Sequence, residues 1–144
     1  MCTRGWIGLA GANRSIFYPE NDMKIRIKGN SIRYRLSRTD VTNLTATGAL
    51  QEETDFGTAR FVYALKAKEN IEQLQATLGQ SAITLFIPQQ WLQDWEVNTV
   101  VGFNSVMPLP DGDGLFLLVE KDFKCLDNTI EDQSDNFENP NQTC

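Results

Sequence analysis

The sequence predicts a single α+β domain, a mostly antiparallel curved sheet of about eight strands with two short helices over about residues 38–47 and 88–97. Apolar residues recur at alternate positions in most segments, the period of strands with one buried face. Connections between these segments are too short for strand–helix–strand crossovers, so neighbouring strands return antiparallel or mixed. The 144 residues, 41% of them hydrophobic, suffice for one core and show no linker or second domain.

Residues 1–22 mix Gly5, Gly8, Gly11 and Pro19 with isolated apolar side chains and follow neither period. They read as an N-terminal extension from an upstream start, ahead of a domain over 23–144. The run Trp6 to Ala12 is too short, and too broken by glycine, for a secretory or membrane-spanning segment. From Met23, Ile25 and Ile27 alternate with Lys24, Arg26 and Lys28; Gly29-Asn30 turns the chain; Ile32, Tyr34 and Leu36 then alternate with Arg33 and Arg35. That is a β-hairpin with a two-residue turn. Ser37 with Asp40 three residues on forms a capping box that opens the first helix, and Gly48 stands where it stops.

Ala49 to Asp55 and Ala59 to Ala67 read as a second hairpin about Phe56-Gly57-Thr58. Residues 71–78 fit either period and are assigned to a strand, because Gly79-Gln80 turns into the clearer alternation of Ile83, Leu85 and Ile87. Pro88 suits the first position of a helix whose one face holds Trp91, Leu92 and Trp95, two indoles placed to pack on the sheet. Val100 to Phe103 and Leu115 to Asp122 are the last strands, separated by the Pro- and Gly-rich stretch 107–114.

Composition removes whole classes of chemistry. With no histidine, Ser-His-Asp and Cys-His catalysis and histidine-ligated zinc are excluded, and three cysteines cannot make a four-thiolate site. A net charge of -6 argues against nucleic acid as a partner, which a dominant positive field would attract.

The charge is nonetheless segregated. Residues 23–38 hold six cations and no acid, and strand alternation sends Lys24, Arg26, Lys28, Arg33 and Arg35 to one face. Like charges opposite one another repel, so either carboxylates of the chain or an external anion must balance them. The chain's own candidates are Glu53 and Asp55, or Glu120 and Asp122. The external alternative is a phosphate or carboxylate held bidentately by arginine, making the five cations a candidate anion site.

Beyond Lys121 the residues turn polar and acidic, too poor in apolar groups to build a core, and read as a tail or a strap. Cys125 and Cys144 could remain free thiols, could form a disulfide worth about 3 kcal/mol, or could bind a metal together with Asp132 and Asp135.

Two long stretches carry a resemblance. Met-Lys-Ile-Arg-Ile-Lys-Gly-Asn-Ser-Ile-Arg-Tyr-Arg-Leu from Met23, and Glu120-Lys-Asp-Phe-Lys-Cys-Leu126 followed by Glu131-Asp132, Asp135, Phe137, Asn139-Pro140 and Cys144, resemble a family of small uncharacterised bacterial proteins. The resemblance implies a bacterial cytoplasmic protein, a natural start at Met23 and an ordered acidic strap over 125–144. The charged first strand is also similar to that of triphosphate-tunnel enzymes, but Lys24-x-Arg26-x-Lys28 stands where those carry Glu-x-Glu-x-Lys to hold metal.

The expected function is a small cytoplasmic binding or interaction protein, without cofactor, whose hairpin holds a small anionic ligand or a protein partner. The alternatives are an enzyme acting on a phosphorylated small molecule, and a structural module stabilised through Cys125, Cys144 and the acidic tail.

Overall fold

The computed structural model describes residues 21–123. Eight strands run in the order β1 (Lys24–Lys28), β2 (Ser31–Leu36), β3 (Ala49–Asp55), β4 (Arg60–Lys68), β5 (Gln75–Leu78), β6 (Ala82–Pro88), β7 (Gly102–Pro108) and β8 (Gly114–Lys121), with α1 (Arg38–Thr47) between β2 and β3. They form two four-stranded sheets, β1-β2-β8-β7 and β3-β4-β6-β5, rather than the one curved sheet expected. Alternation reports which side chains point inward but not which strands pair, and two sheets facing each other satisfy the same pattern.

Both sheets trace the same path. A hairpin opens each one, and the last strand of a second hairpin lies parallel to the second strand of the first: β8 beside β2, and β6 beside β4. The second sheet is inserted whole between β2 and β7.

Helix α1 follows the expected rules. Ser37 accepts from the Asp40 amide, the Asp40 side chain accepts from the Ser37 amide, and Gly48 closes the helix in the left-handed region at φ 82°. Asp40 is fully buried because its other carboxylate oxygen accepts from the Asp22 amide at 2.9 Å.

The second predicted helix is absent. Pro88 ends β6, a 3-10 turn covers only Gln89–Leu92, and Asp94 adopts φ 61°. A left-handed residue cannot continue a right-handed helix, so the indole spacing that mimicked a helical face comes from an irregular loop. Its packing role is as expected: Trp95 is buried, its indole N–H donates to the Val100 carbonyl at 2.8 Å, and Trp91 stacks on Phe103.

Only Gln75–Leu78 of the stretch 71–78 is strand. Ahead of it the backbone bonds to side chains instead: the Leu74 amide donates to Ser105 Oγ, and the Ile71 carbonyl accepts from Gln90. The strand expected from Val100 lies further on, with Pro108 at its end on a sheet edge where no amide is needed.

The core lies between the sheets. Ile32, Tyr34, Leu36, Leu117 and Val119 of the first pack with Leu50, Leu65, Ile83, Leu85 and Ile87 of the second, and Val41, Leu44 and Trp95 join the same cluster. Tyr34 and Tyr63 meet edge to face at 6.0 Å.

Candidate functional site

The hairpin places its cations as the sequence requires. Its register sets Lys24 opposite Arg35, Arg26 opposite Arg33 and Lys28 opposite Ser31. Ile32, Tyr34 and Leu36 point into the core, so the five cations share the outer face of the first sheet. Gly29, at φ 53°, makes the turn, and Asn30 ties it to β8: its side-chain amide donates to the Gly114 carbonyl and its own carbonyl accepts from the Phe116 amide.

Strand β8 supplies the counter-charge. Glu120 stands opposite Arg35 in the parallel register. Its Oε2 lies 3.0 Å from Arg35 Nε and 3.7 Å from Arg33 Nε. Asp122 takes Lys24 at 2.8 Å, and that contact raises the Lys24 pKa above its ordinary value. Glu53 and Asp55, the other acids with suitable parity, sit in the second sheet and pair with Arg60. The hairpin cations therefore face two described carboxylates, and among the described residues Lys28 makes no ion pair.

Gly102 lets β7 approach this centre. It pairs with Glu120, and a Cβ at this position would collide with the backbone of Val119 and Glu120. On the rest of the face the character changes from basic to apolar, with Phe116 and Leu118 on β8 and Val106 on β7.

Where β2 and β8 end, a cleft of about 710 Å³ opens among Leu36, Arg38, Val41, Glu96, Lys121 and Asp122. Three of its charged groups are engaged: Glu96 accepts from Thr42, Asp122 from Lys24, and Lys121 Nζ donates to the Asn98 carbonyl while lying over the Trp95 ring. This cleft had no signal in the sequence, because its lining comes from three separated segments.

A second titratable group escaped sequence reasoning. Glu52 stands opposite Tyr63 on the inner face of the edge strand β3, two residues from buried Leu50, and its Oε2 is buried without a hydrogen-bond partner among the described residues. Burial pushes its carboxyl above the ordinary range, the Met23 amide opposes this, and Asp40 and Asp22 add to the rise. Burial likewise raises Tyr63, with Glu52 adding, and raises Tyr34 further still. An inward charge on an edge strand discourages pairing with another chain, a structural reason for its presence.

A carboxyl whose pKa is raised by folding binds protons more readily in the native state. Its stabilising contribution is present below the unfolded value and is lost as pH rises through the folded one. Glu52→Gln is therefore expected to be more stable than the parent at pH 7, by about 0.5 kcal/mol after screening of this partly exposed group, and to gain less on acidification towards pH 5. Denaturant melts of both chains at the two pH values check this; a less stable variant at pH 7 would contradict it.

The proposed metal ligands Cys125, Asp132, Asp135 and Cys144 lie outside the described residues, as do the strap 125–144 and nearly all of the N-terminal extension. Among the described residues, no group of three or more Cys, Asp or Glu is placed to hold a metal ion. No helix among them is long and apolar enough to cross a membrane.

Fold and site define a small α+β protein, mostly β, with two mixed sheets and a charged outer face beside an open cleft. The chain belongs to DUF7009, a family of unknown function, which matches it over residues 23–141. No curated protein and no solved structure matches it.

Proposed function

We propose that this is a small binding protein whose basic face takes an anionic ligand bearing phosphate or carboxylate groups. The observation that carries the reading is the gathering of Lys24, Arg26, Lys28, Arg33 and Arg35 on one sheet face against Glu120 and Asp122. Guanidinium groups on a rigid sheet present donors at fixed spacing, which suits a multivalent anion better than a single charge. In this reading the protein acts in the bacterial cytoplasm, as the resemblance implies, and binds its ligand without a cofactor. A second reading, an enzyme acting on a phosphorylated small molecule, draws on the cleft, where Arg38 stands with Glu96 and Asp122.

Titration calorimetry with inorganic pyrophosphate is the direct test. The parent chain is expected to bind at low salt, and Arg26→Gln with Lys28→Gln to weaken binding about tenfold or more while the circular dichroism stays unchanged. Equal affinity of parent and variant would remove the hairpin from the site. Loss confined to Arg38→Gln, with turnover of a phosphomonoester, would move the reading to the cleft.

A further inference from the structure

The cleft where β2 and β8 end has the size of a small-molecule site, about 710 Å³, and its walls are mostly apolar. Leu36 and Val41 are buried at its base, while Val97, 79% exposed, and Phe123, 62% exposed, stand open at its rim. Four charged side chains line it, Arg38 and Lys121 against Glu96 and Asp122, so their charges cancel. A polyanion therefore gains little from the local field, and a ligand is selected by whichever individual charges remain unmatched.

Two of the four are matched. Asp122 is held by Lys24 at 2.8 Å, and Lys121 Nζ by the Asn98 carbonyl and the Trp95 ring. The other two keep capacity. Arg38 is exposed and makes no ion pair among the described residues, so its guanidinium donors are available. Glu96 Oε2 lies 3.2 Å from Thr42 Oγ1, but that hydroxyl has a single proton and the Arg38 carbonyl lies 3.1 Å from the same oxygen. Glu96 thus receives at most a share of one hydrogen bond, where a carboxylate accepts about four. Arg38 and Thr42 stand one turn apart on the same face of α1, and Thr42 touches Glu96, so the unmatched cation and the unmatched carboxylate flank one short stretch of wall.

We propose that this cleft binds a free α-amino acid with an apolar side chain, its carboxylate on Arg38, its ammonium on Glu96 and its side chain against Val97 and Phe123. Each charged end then meets its opposite, and a molecule neutral as a whole enters a cleft whose charges cancel. A phosphorylated ligand would instead bring two negative charges beside Glu96 and Asp122. The site is separate from the hairpin, and its test does not depend on whether the hairpin holds an anion.

Amide spectra of the full chain titrated with L-phenylalanine locate the ligand. Shifts are expected at residues 37–41, 96–99 and 121–123, and their absence there overturns the site. N-acetyl-phenylalanine, which lacks the ammonium, and 2-phenylethylamine, which lacks the carboxylate, are each expected to bind about tenfold more weakly. Equal or tighter binding of either one refutes recognition of a zwitterion. Tighter binding of phenyl phosphate refutes it in favour of the phosphorylated-ligand reading.

Two variants assign the ends. Glu96→Gln is expected to weaken L-phenylalanine about tenfold and to bind N-acetyl-phenylalanine no less well than the parent does. Arg38→Gln is expected to weaken L-phenylalanine to a similar extent and to leave 2-phenylethylamine no weaker. Unchanged affinity for L-phenylalanine in both variants, or an equal loss of every probe, removes these two side chains from the roles given to them.

Discussion

Trp95→Ala is expected to lower the unfolding free energy by about 3–5 kcal/mol, a large part of what a domain of this size possesses. The indole is fully buried, packs on Phe103 at 5.1 Å and holds the Val100 carbonyl through its N–H. Removing it leaves a cavity and an orphaned carbonyl at the entry to β7, and frees Lys121 from the ring it covers. The melting midpoint should fall by about 10–20 °C. Trp95→Phe, which keeps most of the volume but not the hydrogen bond, should lose about 1–2 kcal/mol. A loss below about 1 kcal/mol in the alanine variant would mean that the irregular loop does not anchor the first sheet.

Glu120→Ala is expected to move stability and ligand affinity in opposite directions. Glu120 is the acceptor that Arg33 and Arg35 share, and its side chain is only 18% exposed. Truncating it leaves two neighbouring guanidinium groups to repel, at a cost of about 1–2 kcal/mol. It also removes the negative charge closest to any anion held by the hairpin, so pyrophosphate should bind about tenfold more tightly at low salt, the gain fading as salt rises. Thermal melts with and without pyrophosphate read both effects at once. A destabilised variant that pyrophosphate does not rescue would show the face to be a salt-bridged sheet surface and no more.

The hairpin was legible because two independent signals agree there: parity sends Lys24, Arg26, Lys28, Arg33 and Arg35 to one side, and Gly29-Asn30 fixes the turn. The first helix was legible for the same kind of reason, through the Ser37–Asp40 box and Gly48. Partners across the sheet were not. Glu53 and Asp55 have the same parity as Glu120 and Asp122, and only the parallel pairing of β2 with β8, which joins residues 85 apart in the chain, decides between them. The false helix at 88–97 has a comparable cause. Apolar spacing of Trp91, Leu92 and Trp95 fits a helical face, but the left-handed turn at Asp94 leaves no apolar signature. Glu52 was missed because a charged residue in an otherwise alternating strand reads as solvent-facing, and its inward position follows only from the register with Tyr63.

The insertion of the second sheet between β2 and β7 sets an order of assembly. Strands β3 to β6 are consecutive in the chain, so their pairings close short loops, whereas β8 must find β2 across the whole inserted sheet. The inserted unit is expected to form first and the joint between β2 and β8 late, with amides of β4 and β6 protected ahead of those of β8 in pulsed hydrogen exchange. Glu120 rides on β8 and Asp122 follows it, so until that joint closes the nascent hairpin lacks these two counter-charges. Polyanions in the refolding medium should therefore act as temporary counter-charges and speed the last step, much as a splint holds two edges until the seam is sewn.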